Sequence, residues 1–184
     1  MKRSTTYTAL IIAVLALSLT AVSAQSFSAA NRSSSTIERD VHKKLRGMLR
    51  NGIFDHITFE VDGSTVVLGG KVISLGARSE AAAAVKRVAG VSHVINQIEE
   101  LPPSPSDDRI RRAALRTFSS AGLDRYLSER NPEVRIIVDR GRITLEGFVS
   151  GSGDYNSMNI FANGIPGVFK VTNNLVIGKD TRRS

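Results

Sequence analysis

The chain has 184 residues, with 25 Lys and Arg against 17 Asp and Glu, for a formal net charge of +8. Hydrophobic residues make up 41% and charged residues 23%, a globular balance that argues against wholesale disorder. With no Cys, the chain has no disulfide, thiolate metal site, Cys nucleophile or lipidated Cys anchor, and the positive charge calls for an anionic partner.

The chain opens Met1-Lys2-Arg3, runs apolar from Ala9 to Leu17 and reaches Val22-Ser23-Ala24. A basic start, an apolar stretch and a small-residue site are the layout of a secretory signal peptide. The apolar run is well short of the roughly 20 residues needed to span a bilayer. Residues 1–24 are therefore predicted to be removed by cleavage after Ala24, which places the mature chain in the periplasm. Cleavage removes two of the 25 basic side chains, leaving 23 against 17 acidic, a net charge of +6. Such a chain meets anionic lipid, cell-wall polymer and other exported proteins rather than nucleic acid.

Residues 25–35 are polar and Ser-rich and read as a flexible leader. The segment 36–50 places Ile37, Val41, Leu45 and Met48 at helical spacing. Segments 57–62 and 65–73 alternate as strands around Asp62-Gly63-Ser64, a hairpin signal. Residues 80–88 are Ala-rich and helical, with Gly90 as a C-terminal cap, and 92–98 alternate again. Three of the five prolines fall in 101–106, so 102–106 reads as a stiff linker. The pattern then repeats as helix 107–121, strands 133–139 and 142–150 around Arg140-Gly141, helix 154–163 and strand 168–177. Residues 178–184 form a basic tail.

Val66–Val72 matches Ile143–Val149, and Gly90-Val91 matches Gly167-Val168, both at an offset of 77 residues. Two blocks agreeing on one offset indicate a duplication. Earlier in each half the offset falls to 73, pairing Ile37 with Ile110, so the second half carries a longer loop near Gly122–Pro132. The expected fold is α+β: two tandem αββαβ domains, 36–101 and 107–177, each with two helices on one face of a three-stranded mixed sheet. Each half is small for independent folding, so docking between them would help. The Asn-rich helix 154–163 has poor helix composition and is expected to be short or frayed.

Leu68-Gly69-Gly70-Lys71-Val72 with Gly90-Val91-Ser92-His93-Val94-Ile95-Asn96 resembles the BON domain, and the pattern recurs from Leu145 to Val149 and from Gly167 to Asn173. The resemblance covers both halves. It implies a tandem protein of the osmotically inducible or envelope-maintenance type in Gram-negative bacteria, bearing phospholipid- or envelope-binding modules without catalytic activity or cofactor. It also implies that Gly70, Gly90, Gly147 and Gly167 are structural family glycines. Gly70 and Gly147 are expected to allow tight packing against the first helix of each half.

On helix 36–50, Arg39, Lys43, Arg46 and Arg50 fall opposite the apolar face; on helix 107–121, Arg109, Arg112 and Arg116 do the same. At the 73-residue offset Arg39 aligns with Arg112 and Lys43 with Arg116. One account is an ordinary solvated face. The other is a peripheral site for anionic phospholipid, since acidic residues are nearly missing from both stripes and a solubility face mixes signs. No Trp or Phe interleaves either stripe, so deep insertion is not expected. A protein–protein or cell-wall interaction module fits the same pattern.

Enzyme signatures such as HExxH, GxSxG or a P-loop are not found, and His42, His56 and His93 sit on the first helix, in a loop and at a strand start without metal-pair spacing. Gly151-Ser152-Gly153 reads as a strand-to-helix link. Gly164-Ile165-Pro166-Gly167 precedes a strand, unlike an RNA-clamping GxxG loop between helices.

Overall fold

No Gly or Pro interrupts the sequence from Val22 to Arg46, and this whole stretch forms one helix, α1 (Val22–Arg46). The structure, a computed structural model, describes residues 22–48, 51–129 and 131–178. Its α1 takes in the backbone of 25–35, which composition reads as a flexible leader: Ser is only mildly unfavourable in a helix and nothing here breaks it. The helix ends at Arg46, earlier than the expected residue 50, because Gly47 and Met48 turn back onto Lys43 O and Leu45 O at 3.2 and 3.3 Å. Residues 1–21 of the expected signal peptide and 179–184 of the basic tail lie outside the described residues.

β1 (His56–Asp62) and β2 (Thr65–Val72) pair antiparallel, with Asp62 opposite Thr65 closing the hairpin. His56, expected in a loop, thus opens β1. The chain crosses over through α2 (Ala77–Val85) and returns parallel to β2 as β3 (His93–Asn96) and β4 (Glu99–Glu100). The expected third strand is therefore broken in two, and the sheet counts four strands. Asn96 Oδ1 accepts from Ile98 N at 3.2 Å beside the break.

The second half repeats the path: α3 (Pro105–Ser120), β5 (Val134–Asp139), β6 (Arg142–Val149), α4 (Ser152–Asn163) and β7 (Lys170–Ile177), with sheet order β5-β6-β7. The fold is α+β, with four α-helices and two mixed sheets among the described residues. The Asn-rich α4 is neither frayed nor short: at 12 residues it outlasts the nine-residue α2. Tertiary packing overrides its weak propensity, because Met158 and Ala162 are fully buried and Asn173 Nδ2 bonds Tyr155 O at 3.2 Å.

Each half has its own core under its pair of helices. Val41, Leu45, Val66, Leu68, Val72, Ala81 and Val85 fill the first; Ala114, Phe118, Ile136, Ile143, Leu145 and Met158 fill the second. Burying each larger aliphatic or aromatic side chain contributes about 1.5–3 kcal/mol before ordering costs. The extra residues of the second half form more than a loop. They build a 3-10 turn, Asp124–Tyr126, which buries Leu123, Tyr126 and Leu127 at one end of the core. The Tyr126 hydroxyl donates to Asp154 Oδ2 at 2.5 Å and accepts from Ser150 N at 3.0 Å.

Residues 51–55 of the first half clasp β5 of the second. Ile53 is buried in the second core, and its carbonyl accepts from Ile136 N at 2.8 Å. Arg135 Nη1 donates to Asn51 Oδ1, Gly52 O and Asp55 O at 3.0, 2.8 and 2.6 Å. The buried Asp55 carboxylate holds the clasp in shape, accepting from Gly52 N, Ile73 N and Ser74 Oγ at 3.1, 2.7 and 3.0 Å. Lys71 Nζ meets Asp139 Oδ2 at 2.7 Å across the junction. That hydrogen bond raises the Lys71 ammonium above its ordinary value and lowers the Asp139 carboxyl, against the opposing pull of burial. The exposed edge of β5 is thus covered by the neighbouring domain, which removes an unpaired strand edge.

Candidate functional site: an arginine face on the second domain

The helix that carries the site starts sharply. Ser104 is its N-cap, accepting from Asp107 N at 3.3 Å, and Pro105 follows at the first helical position, inside the expected linker 102–106. Asp107 and Asp108 occupy the first turn, where the helix dipole favours negative charge. Ile110, Ala114 and Phe118 point into the core. Arg109, Arg112 and Arg116 are exposed on the other side, as the helical spacing predicts.

Both first-turn acids are committed elsewhere. The buried Asp107 carboxylate accepts from Arg140 N at 3.0 Å and Gly141 N at 2.8 Å, so it fastens the β5–β6 hairpin to the helix start. That hairpin has positive φ at both Arg140 (50°) and Gly141 (74°), the two-residue turn that matches strand twist. Asp108 Oδ1 takes Arg111 Nη1 at 2.7 Å, while Arg111 Nη2 reaches inward to Val138 O at 2.6 Å. Arg111 is therefore a buried brace between helix and sheet, not a member of the outward stripe.

Clamping the hairpin against α3 brings two residues to the stripe that helical spacing could not place there. Arg140, from the hairpin, and Phe169, from the segment entering β7, line one open groove of about 860 Å³ together with Arg109, Arg112 and Arg116. The one acid in its lining is the buried Asp107. Phe169 N donates to Gly141 O at 2.8 Å. Its ring lies against Gly141, where a Cβ would come within 2.5 Å of ring carbon Cδ2. The outer side of the ring is open, leaving Phe169 86% exposed. No Trp or Phe interleaves the helix stripe itself, and the aromatic beside it comes from far along the chain.

The first domain builds the same corner differently. Arg39, Lys43 and Arg46 are exposed on α1, and Arg50 lies outside the described residues. At the repeat offsets, Thr36 stands for Arg109, Gly63 for Arg140 and Ser92 for Phe169. Ser92 Oγ lies 2.6 Å from Ser64 Oγ, and Ser92 N donates to Ser64 O at 2.8 Å, the backbone bond that Phe169 makes in the second domain. The corner of the first domain is thus polar where that of the second is cationic and aromatic.

The motif glycines do different work from that expected. Gly70 and Gly147 do not relieve packing against the first helices. They have φ of 102° and 123°, and a Cβ would lie 2.0 Å from His56 O in β1 and from Glu133 O just before β5. Both are required by the hairpin itself. The residues that meet the first helices are Gly90 and Gly167, beside Ile37 and Ile110, where a Cβ would come within 3.0 and 3.7 Å of Cδ1. Gly90 is not the cap of α2, which ends at Val85 with Lys86 as C-cap; it lies in the following turn, closed by Val91 N to Val88 O at 3.1 Å.

His42 and His56 line one pocket between the two halves, and His93 lies apart from it. The His42 ring lies 6.4 Å from that of Phe59, and His93 Nδ1 lies 3.1 Å from Ser92 Oγ. Among the described residues no cluster of three His, Asp or Glu could hold a metal ion. Among them, too, no helix is long and apolar enough to cross a membrane. Gly151-Ser152-Gly153 starts α4, with Gly151 as its N-cap.

A duplicated αββαβ unit with these hairpin glycines defines a tandem-repeat α+β protein. The family model for the BON domain matches residues 33–102 and 106–179, and the chain belongs to the BON-domain family, with two tandem copies. No curated protein matches the chain. Among solved structures it is similar to the C-terminal domain of CdsD, a structural protein of the type III secretion system of Chlamydia trachomatis. That match has 12% identity and a TM-score of 0.32, covering 76% of this chain and 98% of that one. A second CdsD structure has 12% identity and a TM-score of 0.33, with 78% and 95% covered.

Proposed function

We propose that this is a non-catalytic, envelope-associated binding protein of the periplasm that docks on anionic phospholipid surfaces through the arginine face of its second domain. The observation that carries the reading is the convergence of Arg109, Arg112, Arg116 and Arg140 on one groove whose single acid is buried and bonded to backbone amides. A face that serves only solubility mixes charge signs. Each Arg near an anionic bilayer contributes roughly 1 kcal/mol, so four give roughly 4 kcal/mol, or about millimolar binding. Arg39, Lys43, Arg46 and Arg50 add to this where both domains meet one surface.

The test uses residues 25–184, the expected mature chain. Both cores lie within 37–175, so removing residues 1–24 takes nothing from either. Co-sedimentation with anionic and neutral vesicles across a salt series should give binding that needs anionic lipid and fades as salt screens it. No binding to anionic vesicles at low salt would contradict the reading and direct the search to a protein or cell-wall partner.

A further inference from the structure

We propose that Phe169 is a membrane wedge: once the arginines of the groove engage phosphate headgroups, its ring enters the acyl region and gives the contact a component that salt does not screen. The inference rests on the phospholipid reading above and adds a depth, an orientation and a residue to it.

The ring is exposed, and the backbone that carries it is held in place. Its backbone N–H is bonded to Gly141 O at 2.8 Å, and Gly141 is pinned by the buried Asp107 at 2.8 Å. The next residue, Lys170, already pairs with Arg142 in the sheet. The fold therefore presents an apolar ring to water at 86% exposure on a perch fixed by helix, hairpin and strand. Little backbone ordering entropy remains to be lost when the ring is buried by a partner.

The fold does not need an aromatic residue there. Ser92 holds the same place in the first domain with the same backbone bond to the hairpin, and Phe169 is not part of the second core. The surroundings select the occupant. The ring shares its groove with four arginines, so the partner must offer dense negative charge with apolar matter directly beneath it. A bilayer of anionic phospholipid has that layering, and an aromatic ring with a basic surround suits its interface. A soluble phosphate ester would satisfy the arginines and leave the ring in water.

The chain has no Trp, so Phe169→Trp in residues 25–184 creates a single fluorescent reporter. Adding anionic vesicles should shift its emission to the blue, and lipids brominated along the acyl chain should quench it. Glycerol phosphate in place of vesicles should do neither. Phe169→Ala should keep its circular dichroism and melting temperature, yet bind anionic vesicles roughly tenfold more weakly, by a similar factor at low and high salt. If Phe169→Trp sediments with vesicles while its emission stays unshifted, or if Phe169→Ala binds at full strength, the wedge is overturned and the electrostatic reading stands. If the unsubstituted protein fails to sediment with anionic vesicles at low salt, both are overturned.

Discussion

Replacing Gly147 by Ala tests the hairpin geometry that fixes the whole second domain. The added Cβ would lie 2.0 Å from Glu133 O, at least 1 Å closer than real Cβ atoms approach, and φ at this position is 123°. The chain has two ways out. It can keep its φ and force β5 and β6 apart, which breaks the 3.0 Å bond from Phe148 N to Glu133 O. Or it can turn φ negative and lose local pairing. Strain at such a φ costs about 1–3 kcal/mol, and a lost backbone bond adds about 1 kcal/mol, for roughly 2–4 kcal/mol in all. The melting temperature followed by circular dichroism should fall by roughly 10 °C. Gly153→Ala makes the opposite case. Nothing lies within 4 Å of its Cβ position inside the first turn of α4, so the same substitution should be neutral or stabilise by up to about 0.5 kcal/mol. A Gly147→Ala protein within about 0.5 kcal/mol of the original in urea unfolding would show that the clash relaxes at no cost and that the hairpin does not require glycine here.

Arg135→Ala removes the donor that serves Gly52 O and Asp55 O across the domain junction, and should cost about 2 kcal/mol. It should also broaden or split the unfolding transition as the halves uncouple; a single unchanged transition would count against the clasp. The Asp154 carboxyl is held below its ordinary value of 3.8, first by the Tyr126 hydroxyl and then by Arg125. The unfolded chain takes up that proton more readily, so the stability Asp154 contributes is present above 3.8 and is lost as pH falls from there toward the lower folded value. Tyr126→Phe should flatten the loss of stability below pH 4, measured by urea unfolding at stepped pH; an unaltered slope would exclude the hydroxyl as the main cause.

Much of this fold can be read from residues whose meaning is local. Ile37, Val41 and Leu45, or Ile110, Ala114 and Phe118, declare a helix face through spacing alone, and the offset of 77 residues declares two copies of one unit. The arginine stripe of α3 is legible for the same reason. What is not legible depends on distant partners. Arg111 sits in a run of arginines, and only the position of Val138 O makes it a buried brace. The segment Asn51-Gly52-Ile53-Phe54-Asp55 has no periodicity, and its role exists only once β5 lies beside it. Arg140 and Phe169 join the groove because Asp107 clamps a hairpin, a contact across more than thirty residues. The repeat offers one clue in advance: both depart from the first copy, where Gly63 and Ser92 stand.

If the second domain carries the proposed lipid-facing site, the same substitution at equivalent places in the two repeats should have unequal effects. Arg112→Glu and Arg39→Glu change charge by the same amount on α3 and α1. Vesicle co-sedimentation of each, in residues 25–184 with anionic lipid at low salt, isolates the domain. Reversing one arginine removes roughly 1 kcal/mol of attraction and adds comparable repulsion, so Arg112→Glu should weaken binding about thirtyfold. Arg39→Glu should weaken it severalfold at most. Equal losses in the two variants, or undiminished binding by Arg112→Glu, would contradict the account.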